Sequence, residues 1–298
     1  MKTLVGISIC FYLALAGAVF AQDNTSRAPS ICQAIASNEA EKSIYGGWPG
    51  LTSKRLNITR AAVKIAPSQS SAETEVGITY VGHSTFRIET PEGVIIATDF
   101  AGFAGLDVIP NVVTMNHAHG THFTIAPDKR INHVLRGWGK DGKPAEHYRL
   151  IEDVLVRNVT TDINNQWAGY EPDGNSIFIF EAAGLCIGHL GHLHQLPTDD
   201  HYIRIGRLDV LMVPVDGGYT MNVKDMTSVV KRVNASLILP MHWFGSFSLG
   251  QFINEIKTGF PVKNHDGSSI SLSLRSLPAE PTVLVMPPES SFGLFGGD

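Results

Sequence analysis

The sequence predicts an α+β fold in which one sheet packs on another and helices lie outside. Three observations carry this expectation. Apolar, β-rich runs come in two batches, an early one joined by tight turns and a later one interleaved with helical spacing. Each batch delivers a histidine-dense loop directly after an apolar run. No Gly-rich phosphate loop follows any of the predicted strands, which argues against a doubly wound sheet.

The N-terminus reads as a targeting segment. Lys2 supplies a short positive start, Leu4 to Ala18 is apolar, and Val19-Phe20-Ala21 before Gln22 has a small-residue cleavage pattern, so residues 1–21 read as a signal peptide. The apolar run is short for a span of ~20 residues, and no later segment approaches that length. A secreted or periplasmic protein with no stable membrane anchor after processing is therefore expected. Residues 22–75 read as an N-terminal extension, with an amphipathic piece around Ile31-Cys32-Gln33-Ala34-Ile35 and a turn-rich break at Gly46-Gly47-Trp48-Pro49-Gly50. A domain is expected over residues 76–298.

That domain opens at Val76. Strands are predicted over Ile78–Val81 and Thr85–Glu89 around Gly82-His83-Ser84, and again over Val94–Thr98 after the turn Pro91-Glu92-Gly93, an antiparallel start. Val112–Met115 follows and runs into the first histidine loop. Val154–Val159 reads as a strand, and Ile177–Glu181 with Leu185–Ile187 flank Ala182-Ala183-Gly184 as a hairpin. Asp200–Gly206 reads as a helix ahead of strand Val210–Val213. Lys224–Val233 places Met226, Val229, Val230 and Val233 on one helical face, and strand Ser236–Leu239 runs into Pro240-Met241-His242-Trp243.

Composition narrows the partners. The 298 residues are 43% hydrophobic, enough for one large core or two modest ones. A formal net charge of −5 with no long basic run gives no footprint for nucleic acid or anionic lipid, so a small-molecule substrate is the default. Export would leave Cys32 and Cys186; Cys186 sits in an apolar strand pattern and is expected as a buried free thiol, a Cys32–Cys186 bridge being the minority reading. Sequons at Asn24, Asn57, Asn158 and Asn234 would matter only in a eukaryotic secretory pathway.

The histidines carry the chemistry. Six of the 12 fall in two windows, His117-Ala118-His119-Gly120-Thr121-His122 and His189-Leu190-Gly191-His192-Leu193-His194. A scattered His is usually a surface or hydrogen-bonded core residue, the reading for His133, His147, His201 and His265. Clustered imidazoles differ: charged they repel, and buried neutral they leave lone pairs unsatisfied unless a cation collects them. Asp99 reads as a loop-stabilising carboxylate, Asp216 as a functional candidate on the same rim, and Trp138, Trp167 and Trp243 as pocket lining or packing.

Five segments in order, Tyr80-Val81-Gly82-His83-Ser84-Thr85-Phe86, the His117 loop, the His189 loop, Val213-Pro214-Val215-Asp216-Gly217-Gly218 and Pro240-Met241-His242, resemble the metallo-β-lactamase superfamily, nearest its ascorbate-phosphate lactonase-like branch. The resemblance implies a four-layer αββα sandwich. It also implies a first metal on His117, His119 and His189, and a second on the Thr121 position, His122 and His242, bridged at His192. The family pattern carries Asp at both the Thr121 and His192 positions, so two carboxylates are missing. One tightly held Zn²⁺ is expected, with a second metal weak or absent and other divalent cations possible.

The function implied is an exported metal-dependent hydrolase using metal-bound hydroxide on a small lactone, ester, amide or phosphoester. His122, His192 and Asp216 are the catalytic candidates, with His194 as another stand-in for the missing base and His83 contacting substrate. The alternative is a metal- or ligand-binding protein of the same fold with little activity; an iron oxidoreductase is the weakest reading because carboxylate ligands are lacking. Selectivity is expected in the loop from Arg130 to Tyr148.

Overall fold

Period-2 alternation along the strands sorts side chains onto two faces, and that sorting builds the architecture. The computed structural model describes residues 28–33, 74–165 and 169–289. Its strands are β1 (Val76–Gly82), β2 (Thr85–Glu89), β3 (Ile95–Ala97), β4 (Val112–Met115), β5 (His133–Arg136), β6 (Tyr148–Ile151), β7 (Val154–Asn165), β8 (Gly169–Ala182), β9 (Leu185–His189), β10 (Val210–Pro214), β11 (Leu237–Met241), β12 (Val262–Asn264), β13 (Ser269–Leu272) and β14 (Thr282–Val285). The helices are α1 (Asp199–Ile205), α2 (Val223–Val233) and α3 (Ser246–Ile256).

One sheet has the order β13-β1-β2-β3-β4-β5 and the other β12-β14-β11-β10-β9-β8-β7-β6. The start is antiparallel, as expected, until β4 joins β3 in parallel. Phe178 and Phe180 of β8 face the space between the sheets, with Ile78, Tyr80, Phe86 and Ile88 opposite, while Ile177 and Ile179 face outward. Strands β9, β10 and β11 are parallel to one another and buried on both faces, which explains their nearly continuous apolar runs. Burying each large inward side chain stabilises the fold by about 2–3 kcal/mol relative to exposure.

Helices α2 and α3 lie on the larger sheet's outer face, where Met226, Val229, Val230, Phe252 and Ile256 meet Leu211, Val213 and Ile238. On the smaller sheet, among the described residues, loops take the place of a helical layer: Phe100, Ala104 and Ile131 cover Ala97, Val113 and Met115. Helix α1 starts in a capping box, the Thr198 hydroxyl accepting from the His201 amide while the His201 ring accepts from Thr198 N–H. Helix α2 is capped by Asn222 and ends at Asn234 in the left-handed region.

The sequence reading missed β5, β6, α3 and β12–β14 and cut the β7–β8 ribbon short. Helix α3 has no side-chain cap and contains Gly250, so packing of Phe252 and Ile256 holds it. Beyond Val159, β7 runs through Thr160-Thr161-Asp162, a polar stretch that reads as loop, and the register slips between Thr161 and Ile163.

The thiol expectation is corrected: Cys32 and Cys186 form a disulfide, with Cα atoms 6.0 Å apart. Alternation does bury Cys186, but on the outer face of β9, where residues 28–33 dock. A buried ion pair receives that segment. Glu181, bridged to Arg157 at 2.7 Å, accepts from the Ser30 hydroxyl (2.7 Å) and the Ile31 amide (3.0 Å). The rest of the extension, the signal peptide, Trp167 and the sequons Asn24 and Asn57 lie outside the described residues. Asn158 is consumed by hydrogen bonds to the Ala145 carbonyl and Ser176, whereas Asn234 is exposed.

Candidate metal centre

Loops leaving the carboxyl ends of β4, β9, β10 and β11 meet the β1–β2 turn at one end of the sandwich. From these loops come His119 and His122, His192, Asp216, His242 and His83. His119 Nε2 lies 3.2 Å from His192 Nε2, and His122 Nε2 lies 3.1 Å from His242 Nε2. The ring centroids of His122 lie 4.6 to 5.1 Å from those of His119, His192 and His242.

Behind each ring stands a group that fixes it. His122 Nδ1 is 2.6 Å from buried Asp99, His242 Nδ1 is 3.0 Å from Asp216, His192 Nδ1 is 2.7 Å from His194 Nε2, and His119 Nδ1 is 2.8 Å from the Thr121 hydroxyl. This is how metal-ligating histidines are held, one nitrogen inward and the other pinned. Two of the Nε2 separations, 3.2 Å for His119–His192 and 3.1 Å for His122–His242, are close to the edge of a tetrahedron, about 3.3 Å for ligand nitrogens ~2.0 Å from a cation. The donor set therefore fits a divalent cation. The carboxyl groups missing from the inner layer reappear one layer out, Asp99 behind His122 and Asp216 behind His242, and Asp216 places a negative charge beside the cluster.

Protonation agrees. Burial, reinforced by neighbouring imidazoles, lowers His119 to about 4 and His83 to about 3, and holds His122 and His192 well below the usual range. These rings are neutral at pH 7, with lone pairs available to a metal. For Asp216, burial pushes the pKa up, but the His242 ring and the Thr220 hydroxyl and amide outweigh it and keep the carboxyl ionised. Burial raises Asp99 well above the carboxylate range, against hydrogen bonds from Asn116 and Ser84.

The backbone is strained where the loops meet. His83 and His242 have φ of 52° and 56°, and the His242 amide donates to the His83 carbonyl at 2.7 Å, which Tyr80 Oη also contacts at 2.9 Å. Asn116 and Asn175 brace the histidine loops: the His192 amide donates to Asn175 Oδ1 at 2.7 Å, and Asn116 donates to Asp99 at 2.7 Å. Gly191, at φ +61°, lies against both asparagines, and a Cβ there would collide with them.

Two expected ligands are not brought in. His189 shares the inward face of β9 with Leu185 and Ile187, a layer below the cluster; its Nε2 contacts the Ser84 carbonyl (2.8 Å) and its Nδ1 accepts from the Gly191 amide (3.1 Å). Both nitrogens are spent. His117 turns outward, 41% exposed, with Nδ1 2.8 Å from Glu171 and its ring stacked on Trp138. Of the expected trio His117, His119 and His189, the structure brings only His119 into the cluster, together with His122, His192 and His242. Proximity alone groups His83 with His119, His122 and His242, within 4.8 Å. Both further rings border the cluster: His83 Nε2 is engaged by Thr121 at 2.9 Å, and His192 Nε2 faces His119 Nε2 at 3.2 Å.

Of the other candidates, Asp216 lies behind His242 and also accepts from the Gly218 and Thr220 amides, so it is a positioning residue. Trp243 packs half-buried between the two cores. Glu171, 54 residues from His117, was missed, and no local signal marks it. A polar cavity of about 530 Å³ lined by Thr161, Asp162, Asp173, Gln195 and Arg204 includes none of the clustered histidines.

The β-lactamase superfamily domain model matches residues 77–242, more than half the chain and the whole of the histidine cluster. The chain belongs to the metallo-β-lactamase superfamily. Similar curated proteins of this superfamily include a metal-dependent hydrolase of Methanoculleus marisnigri, 27% identical over 195 residues (60% of this chain, 86% of the relative). A second, from Symbiobacterium thermophilum, is 23% identical over 233 residues (72% and 98%). Among solved structures, a protein of Thermotoga maritima described as a Zn-dependent hydrolase of the metallo-β-lactamase superfamily superposes with a TM-score of 0.52 at 29% identity, covering 71% of this chain and 98% of that one. The α+β two-sheet fold is that of the superfamily, and the all-imidazole cluster departs from the pattern the resemblance implied.

Proposed function

We propose that this protein is an exported metallo-β-lactamase-fold hydrolase that holds one divalent cation among His119, His122, His192 and His242 and cleaves a small lactone, ester, amide or phosphoester. The single observation that carries the reading is the convergence of those Nε2 atoms with every Nδ1 pinned from behind. Metal-dependent hydrolase is the enzyme class its relatives are named for, and this chain belongs with them. Zn²⁺ suits four imidazoles, and Cu²⁺, Ni²⁺ or Fe²⁺ are also compatible. Such a cation, when bound, supplies Lewis acidity and brings the pKa of water down towards neutrality.

The chain's own residues do the rest. Ionised Asp216 keeps the His242 proton on Nδ1 and so points a lone pair inward. His194 sets His192, and Asp99 with Ser84 sets His122. Exposed Phe244 packs 5.4 Å from His83 and 5.2 Å from His242, with Tyr219 against it, giving the rim an apolar wall. Export is supported by the leader pattern together with the Cys32–Cys186 bridge, since disulfides persist in oxidising compartments.

A second reading is favoured by the same count of rings. Four imidazoles complete a tetrahedron, the closed pattern of structural sites, which supports a metal-binding protein with little turnover. One experiment separates the two: metal content and hydrolysis of a lactone, ester, amide and phosphoester panel, before and after chelation. Chelator-sensitive hydrolysis restored by Zn²⁺ supports the enzyme. Retained metal without turnover supports the binding protein, and hydrolysis that survives complete metal removal contradicts both.

A further inference from the structure

Thr121 stands between two rings, its hydroxyl 2.8 Å from His119 Nδ1 and 2.9 Å from His83 Nε2. If His119 gives its Nε2 lone pair to a cation, its proton sits on Nδ1 and is donated to the Thr121 oxygen. A hydroxyl has one proton to give, and it then points at His83 Nε2. That makes Nε2 of His83 an acceptor, and the ring's proton is left on Nδ1. His83 Nδ1 is buried and has no hydrogen-bond partner in the protein. Tyr80 Oη and the His242 amide hold its backbone carbonyl, and the Thr121 hydroxyl and the His242 ring, 4.2 Å away between centroids, hold its ring.

A buried donor without an acceptor is costly, and strained residues at sites are retained when the strain serves function. We infer that Thr121 is a tautomer relay that converts metal ligation at His119 into a fixed N–H donor at His83 Nδ1, and that this donor binds an anionic or carbonyl oxygen of the substrate beside the metal. The inference rests on the metal reading above. Asp, the residue of the superfamily pattern at this position, would act in the opposite sense: a carboxylate accepts from both rings, placing the His83 proton on Nε2 and leaving a lone pair at Nδ1. The departure from the pattern at Thr121 thus changes what His83 offers.

The test uses the zinc-loaded protein labelled with ¹⁵N-histidine, with acetate as the oxygen-ligand probe and zinc content measured in every sample. Ring ¹⁵N spectra are expected to show the His83 proton on Nδ1 in the wild type and on Nε2 in Thr121→Asp. Acetate is expected to bind about tenfold more weakly in His83→Phe, the loss of one hydrogen bond to a charged group, with zinc content unchanged. Thr121→Asp, which keeps every ring, is expected to weaken acetate similarly if His83→Phe does not fold. A wild-type His83 protonated on Nε2, a ¹¹³Cd coupling to His83, or unchanged acetate affinity in the variants overturns the relay while the metal centre stands. Absence of zinc from the wild type overturns the metal reading and the relay with it.

Discussion

Cutting the Cys32–Cys186 bridge is expected to destabilise the domain strongly while leaving its core packing intact. The bridge joins positions separated by 154 residues. A loop of that length carries about 5 kcal/mol of closure entropy at 25 °C, the upper end of what disulfides contribute. Without it, the short segment 28–33 is held by its hydrogen bonds to Glu181, by Tyr148 Oη and the Arg207 amide donating to the Ala28 and Cys32 carbonyls, by Gln33 donating to the Arg204 carbonyl, and by its packing. For a domain of this size 1 kcal/mol shifts Tm by about 2–4 °C, so Cys32→Ala should lower Tm by roughly 10–20 °C. Thermal unfolding of the two proteins, with thiol titration of unfolded but unreduced material starting at Gln22, measures both halves of the argument. Two titratable thiols in the wild type, or a Cys32→Ala midpoint unchanged within 1 °C, would refute it.

Two further outcomes follow from the site. Burial lowers His189 to about 4, so the unfolded chain takes up its proton first as pH falls from 6.5; the stability is complete above 6.5 and is lost as pH falls towards 4, on the order of 3 kcal/mol for a shift of that size. Urea unfolding at pH 7 and pH 4 should show the wild type losing about that much more than His189→Gln, and equal losses would contradict it. Asp216→Asn removes the charge behind His242 and weakens the Tyr219–Thr220 turn, and should raise the metal Kd about 10- to 100-fold by calorimetry; an unchanged Kd would place His242 outside the ligand set.

Much of the architecture was legible because its signals are local. Alternation in β1, β2, β8 and β9, the caps of α1 and α2, and the Ala183-Gly184 turn are written within a few residues of where they act. The loops bearing the centre were legible for the same reason, since strand ends and histidine density can be read along the chain. Which ring of each loop turns inward was not. His117 and His119 are two residues apart, yet Asn116 and the Gly174 carbonyl hold the backbone so that one faces Trp138 and the other the cluster. Likewise, the resemblance implies His189 as a ligand, but its place on the inward face of β9 puts it in the core layer with Leu185 and Ile187. The bridge was missed because Cys186 is buried by a segment 154 residues away in sequence.

The central claim is that the metal is held by His119, His122, His192 and His242 and not by His117 or His189. Elemental analysis of single His→Ala proteins, each first shown to be folded, tests it most directly. The account predicts that His117→Ala keeps the metal content of the wild type while His122→Ala and His192→Ala lose most of it. Metal lost from His117→Ala and retained in His122→Ala and His192→Ala would contradict it.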